Sequence, residues 1–261
     1  MSNNTFLGLW LDGPMQSWGH MSRFQRRTTG LFPSKSGVIG LIAAAMGVDA
    51  RYFPNDLKSR EMAESAIGKL ATLRMTAVAF PRKSGVRRLE DYHTVLSTRQ
   101  ASGGINSDAV LTRREYLLDI RFGIILSPTV KTGPCLCDQI VEALNNPRWG
   151  LWLGRKTCIP ATPVLAIGFP FVNYEEVWQS LLKHAGEEQT QSIGEFDREE
   201  EIIDADSNAT DTRADQPSVF GPTNQERRFN PRRILFVPGQ RPHEAPNAMW
   251  DLQVDGGSSQ D

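Results

Sequence analysis

The sequence predicts an α+β domain. Two observations carry that prediction. Segments of alternating apolar residues and segments of helical amphipathicity follow each other in the order β-α-β, then, after a long polar stretch, β-α-β again. Hydrophobic residues make up 39% of the 261, enough for one large core, and neither an internal repeat nor a second core is visible.

Thr5 to Leu11 alternates loosely and reads as a strand, broken by Asp12-Gly13-Pro14. A polar, basic loop with Arg23, Arg26 and Arg27 runs to Phe32. Ser34 or Ser36 can cap a helix whose body, Val38 to Met46, is apolar all round and therefore buried. Gly47 stands where a left-handed terminating residue is wanted. Leu73 to Phe80 is a second strand, and Tyr116 to Leu126 a third. Between them Leu89 to Arg114 is polar and too long for an ordinary connection, which marks it as functional or mobile. Cys137 to Asn145 and Tyr174 to His184 are amphipathic helices, Val164 to Phe169 a fourth strand, and Arg232 to Pro238 the last. This order suits a ferredoxin-like domain over residues 1–185. The segment from Glu187 to Asp215 holds 11 acids and 2 Arg, and reads as a disordered acidic insert within 186–226. The chain then returns to the domain over 227–261 and frays after Gly256.

Charge divides the same way. Residues 1–183 carry 22 Lys/Arg against 14 Asp/Glu, and residues 184–261 carry 7 against 16. A basic body suits a polyanionic partner; unevenly placed surface charge is the plain alternative. No apolar run reaches the roughly 18 residues of a membrane span. Met1 to Thr5 is polar, without the charged start of a secretory signal, so a soluble cytoplasmic protein is expected. Three cysteines make a disulfide framework improbable, and Cys135-x-Cys137 with Cys158 lacks the spacing and the fourth ligand of a zinc site. The sequence calls for no metal or organic cofactor.

Ser34-Lys35-Ser36 before a helix resembles a phosphate loop, but Thr29 and Ser34 stand where that pattern needs glycine, which argues against a nucleotide hydrolase. A helix amino end with a lysine and two hydroxyls still favours an anion; an ordinary capped helix fits equally. Trp149 and Trp152 flank Gly150 among Arg148, Arg155 and Lys156. Such a loop either stacks on unpaired bases and holds phosphates, or packs its rings onto the core. His20 or His93 with Tyr92 and Lys35 offers acid–base groups for a metal-independent ribonuclease, although no spacing is diagnostic.

Gly13-Pro14-Met15-Gln16-Ser17-Trp18-Gly19 and the run from Phe32 to Gly47 closely resemble the Cas-five family of CRISPR-associated proteins in its type I-E Cascade form. Asp91 to Leu96, Arg114 to Leu117 with Asp119, and Leu153 to Cys158 resemble it too, in order across about residues 5–170. The resemblance implies a ferredoxin-like (RRM-like) domain of the repeat-associated RNA-binding (RAMP) superfamily, present once per Cascade and non-catalytic. It implies that this subunit caps the 5′ handle of the CRISPR RNA. A thumb at about 89–113 would pack on the neighbouring backbone subunit. The large subunit is a further expected partner, target DNA is reached through the assembled complex, and no membrane is involved. By motif position and chemistry, Arg26, Arg27, Arg113, Arg114, Arg155, Lys156 and Lys35 with Ser34 and Ser36 are expected at phosphates. Trp149 and Trp152 are expected to stack, and Gln16, Trp18, Tyr92 and His93 to contact bases or hold the loops that do. The acidic segment departs from the compact family pattern and suits a spacer, a contact for the large subunit or an electrostatic shield. An endoribonuclease that processes CRISPR repeat RNA is the alternative.

Overall fold

The structure is a computed structural model, and it describes residues 6–19, 25–48, 57–82, 85–100, 102–106, 108–129, 135–166, 170–187, 190–203, 208–220, 227–240 and 253–254. Along the chain run β1 (Leu7–Asp12), β2 (Met15–Gln16), β3 (Arg26–Arg27), α1 (Lys35–Met46), α2 (Leu57–Ala71), β4 (Arg74–Pro81), β5 (Arg87–Val95), β6 (Val110–Leu118), β7 (Ile120–Ser127), α3 (Leu136–Asn145), α4 (Tyr174–Ala185), β8 (Arg198–Glu201), β9 (Asp211–Phe220), β10 (Arg227–Val237) and β11 (Gln253–Val254). The main sheet has the order β1-β7-β4-β8-β10-β9, antiparallel throughout. A smaller sheet has the order β11-β5-β6-β2, with β3 also on β6.

Alternation along the central strands feeds two apolar layers. Leu7, Leu9 and Leu11 of β1 join Met75, Ala77 and Ala79 of β4 and Phe122, Ile124 and Leu126 of β7 under α1, α2 and α3. Trp10, Val78, Phe80 and Ile125 point the other way, onto Val177, Trp178 and Leu181 of α4. α1 starts and stops as its sequence dictates. Ser34 accepts from the Gly37 N–H at 3.2 Å, and Gly47 closes the helix at φ 70°.

Four expectations change. α2 is an element the sequence pattern did not announce. Its buried stripe is Ala63, Ile67, Leu70 and Ala71, at helical spacing but built partly of alanine. The stretch from Tyr116 to Leu126 is two strands, because Asp119 takes a left-handed conformation at φ 58° and turns the chain from the small sheet into the main one. The segment from Val164 runs irregularly along the free edge of β1, with Trp10 N donating to Val164 O at 2.7 Å and Ala166 N to Gly8 O at 3.0 Å; residues 167–169 lie outside the described residues. Finally, the acidic segment, expected to be a disordered insert, contributes strands at Arg198–Glu201 and from Asp211 onward. β8 pairs with β4 and β10, and β9 with β10. In Arg198-Glu199-Glu200-Glu201 the pleat turns Glu199 and Glu201 inward, where they meet cations supplied by other elements. His20, the segments 188–189, 204–207 and 221–226, and the tail after Gly256 fall outside the described residues.

The long polar stretch is a hairpin. β5 and β6 pair from Arg87↔Leu118 to Val95↔Val110, and Arg99↔Ile105 bridges its far end. Leu96 and Ile105 are exposed there.

Candidate nucleic-acid interface

The turn after β1 is organised around Gln16, which is fully buried. Its Nε2 donates to Leu11 O and Ile120 O, both at 2.9 Å, and its Oε1 accepts from Trp18 Nε1 at 3.0 Å. Ser17 Oγ donates to Glu115 O, and Trp18 N to Thr29 Oγ1. Glu115, itself buried, receives the Thr29 N–H and pairs with Arg26 at 3.4 Å and Arg88 at 3.7 Å. Of the two roles open to Gln16, contacting bases or holding the loops that do, its geometry is that of a loop-holder.

The loop carrying Trp149 to Cys158 docks on this turn. Ser17 N donates to Leu153 O at 3.1 Å. Gly154 sits at φ 93°, and a Cβ there would lie 1.8 Å from Ser17 O, so only glycine permits the approach. Arg155 lies over the Tyr116 ring at 4.9 Å and donates to Glu115 O at 3.1 Å and Arg27 O at 2.7 Å. Its cation therefore ties β3 and β6 to the loop.

Between these parts and α1 lies a cleft of ≈ 480 Å³. Ser17, Arg27, Ser34, Ser36 and Arg155 give its lining polar groups; Ala43, Ala44, Val48, Ile67, Trp149 and Phe229 give it apolar surface. Trp18 also lines it, with its indole N–H already committed to Gln16. Six predicted residues, Trp18, Arg27, Ser34, Ser36, Trp149 and Arg155, thus meet in one concavity. Phe229 is the contributor that sequence reasoning missed. Its signal was present, an aromatic between Arg227-Arg228 and Arg232-Arg233, the same pattern as the tryptophan loop.

Other predicted residues lie elsewhere. Trp152 folds over Gly150 and is absent from the cleft lining, as is Lys156, which is exposed. On the hairpin, directly opposed residues share a face. Tyr92 pairs with Arg113, whose guanidinium lies 5.8 Å from the ring, and Arg26 neighbours Arg113. His93 belongs to the other face, with Arg114 and, next to it, Arg27. Of the ribonuclease set, Tyr92 and His93 point to opposite faces and Lys35 is engaged inside, while His20 lies outside the described residues.

Lys35 is a correction. Its side chain is 3% exposed, and Nζ lies 2.7 and 2.9 Å from the two oxygens of Glu201. Glu201 also accepts the Met75 N–H at 3.0 Å. The Lys35 backbone N–H donates to Asp215 Oδ2 at 2.9 Å, and Arg232 grips both Asp215 oxygens at 2.8 and 2.9 Å. Burial pulls the Lys35 ammonium below its usual range, against the opposing pull of Glu201. Nearby, Arg213 pairs with Glu199, whose carboxyl burial pushes up to about 7. A phosphate has no access to Lys35 here, because Lys35 occupies the first helical position with its side chain turned toward the sheet.

Comparison with known proteins gives a consistent answer. The family model of CRISPR-associated Cas5 proteins matches residues 6–234. The CRISPR system Cascade subunit CasD of Escherichia coli (strain K12) is 33% identical over 165 residues, 63% of this chain and 70% of that one. Among solved structures, a chain of a CRISPR RNA-guided surveillance complex superposes with TM-score 0.65 at 26% identity, covering 92% of each chain. A crystal structure of a Cas protein superposes with TM-score 0.57 at 28% identity, covering 92% of this chain and all of the other.

Proposed function

The chain belongs to the CRISPR-associated Cas5 family, and on that premise we propose that it is a non-catalytic subunit of a type I CRISPR Cascade surveillance complex that binds and caps the 5′ handle of the CRISPR RNA. The observation that carries this reading is the shared cleft, where two arginines, two serines and aromatic walls face one space. Cations neutralise phosphates, and rings accept unpaired bases by stacking. A single-stranded handle offers both groups at once; a duplex does not. The antiparallel order of the edge residues 164–166 and 170–171, β1, β7 and β4, with α1 and α3 in the connections, supports a ferredoxin-like domain of the RAMP type. β8 to β10 extend that sheet.

The β5–β6 hairpin suits the thumb expected to meet the backbone subunit, since its exposed Leu96, Ile105 and Leu111 are apolar surface without an internal partner layer. The large subunit is the second protein partner in this reading. Target DNA would be read by base pairing with the guide rather than by this chain. The separation of Tyr92, His93 and Lys35 favours recognition over cleavage.

The test is a titration of the purified protein with repeat-derived RNA beside a scrambled RNA, in EDTA, followed on a denaturing gel. Intact RNA with preference for the 5′ handle is expected. A discrete cut within the repeat would overturn the non-catalytic assignment and make the endoribonuclease the better reading.

A further inference from the structure

The acidic segment has a definite relation to the cleft. Ser34, Ser36, Gly37 and Gly40, all from the amino-terminal half of α1 or its cap, line one wall. That helix has no acidic residue of its own in its first turn. Ser34 caps only the Gly37 N–H, and the positive dipole end favours an anion from elsewhere. Asp215 of β9 supplies one, through the bond to Lys35 N, and is itself held by Arg232 of β10. Glu201 of β8 holds the same helix end through a side chain, clamping Lys35 Nζ and accepting the Met75 N–H of β4. All four side chains are at most 11% exposed. Two residues on, in the same turn, Gly37 abuts the Trp18 ring, where a Cβ would come within 2.8 Å. A shift of the helix end therefore moves the wall that Trp18 and the serines share.

We propose that Glu201 and Asp215 are positioning residues for the cleft: internal counter-ions that fix the amino end of α1. The inference rests on the RNA-binding reading above. It makes the acidic strands part of the recognition surface rather than a spacer or shield.

The test measures Kd for repeat-derived RNA across a salt series, with stoichiometric titration giving the active fraction. Glu201→Gln should raise Kd roughly tenfold at an unchanged slope of log Kd against log salt, because no phosphate contact is lost. A merely structural effect would lower the active fraction and leave Kd alone. Lys35→Met combined with Glu201→Gln removes both buried charges and should restore Kd and slope to the wild-type values. Glu200→Gln, on the outward face of β8, should change neither. Tighter binding by Glu201→Gln, with a slope steeper by about 0.7, would mean that freed Lys35 reaches phosphate and would overturn the proposal. So would a wild-type Kd in that variant. If Glu201→Gln fails to fold, the double variant decides alone: a slope reduced by about 0.7 would identify Lys35 as a phosphate contact. If the wild type prefers neither RNA, the RNA reading has failed. The positioning claim then rests on acrylamide quenching of tryptophan fluorescence, which should rise in Glu201→Gln and return in the double variant; no rise would sink it.

Discussion

Replacing Gln16 with methionine separates folding from recognition at the turn after β1. The amide makes three hydrogen bonds, to Leu11 O, Ile120 O and Trp18 Nε1, and neither Gln16 nor Trp18 is more than 1% exposed. Methionine has nearly the same length and volume, so the cavity cost is small. What remains is one buried donor and two buried acceptors stripped of a partner. A stranded group costs about 1–3 kcal/mol. Carbonyls have a second lone pair and lie at the low end, so the loss is about 3 kcal/mol. For a chain of this size 1 kcal/mol moves Tm by about 2–4 °C, which predicts a drop of about 6–12 °C. Calorimetry reads the shift, and urea unfolding at constant m checks that stability alone has changed. Trp18→Phe removes the stranded indole donor, so the double variant should lose less than the two singles together, by about 1 kcal/mol. A Tm within about 2 °C of wild type, accompanied by lost RNA affinity, would refute the reasoning and make Gln16 a recognition residue.

Glu199→Gln should alter the pH dependence of stability. The folded carboxyl titrates at about 7 rather than at the ordinary 4.5, owing to burial and against the pull of Arg213 and Arg232. Between those values the folded state holds a proton that the unfolded chain has released. The wild type therefore loses stability from this group as pH rises through the window, and keeps its full benefit only below the unfolded value. The Tm of Glu199→Gln minus that of wild type should grow over that range, and parallel curves would contradict the reasoning. Gly154→Ala must open the Ser17–Leu153 contact and adopt a left-handed alanine; thermal melts should show a loss of about 2 kcal/mol or more. Gly68→Ala, with open space around its Cβ in α2, should gain up to about 1 kcal/mol in the same assay. In RNA titrations Arg27→Gln should weaken binding and lower the salt slope by about 0.7. Trp149→Ala should cost about 1–3 kcal/mol of binding with the slope unchanged.

Where local signals agreed, the sequence was legible. β1, β4, α1, α3 and α4 each show as a run of apolar or amphipathic residues, and α1 and α4 also carry their boundaries, Ser34 and Gly47 or Asn173 and Gly186. α2 escaped because Ala63 and Ala71 dilute a stripe that Ile67 and Leu70 alone do not draw. The break at Asp119 escaped because aspartate tolerates the left-handed region without announcing it as glycine would. At the site, residue chemistry was easier to read than orientation. Arg27, Arg155 and Trp149 face the cleft, as their company suggested. Gln16 and Lys35 carry suitable groups but sit on backbone positions that turn inward.

The charge asymmetry shows why counting by segment misled. Glu199, Glu201 and Asp215 come from the acidic half, and they bury Arg213, Lys35 and Arg232. Only Lys35 among those cations belongs to the basic half, so its surface gives up one positive charge while three carboxylates leave solvent. Arg26, Arg27, Arg113 and Lys156 stay exposed, and Arg26 and Arg113 keep 60% or more of their side-chain surface. In the proposed RNA-binding reading, attraction for the polyanion therefore comes from residues on β3, β6 and the tryptophan loop. The amino end of α1, already holding its own carboxylates, contributes shape. The cleft's cations, Arg27 and Arg155, and its apolar walls are different side chains, so its affinity and its selectivity can be changed separately. Salt slope and base preference should accordingly respond to different substitutions.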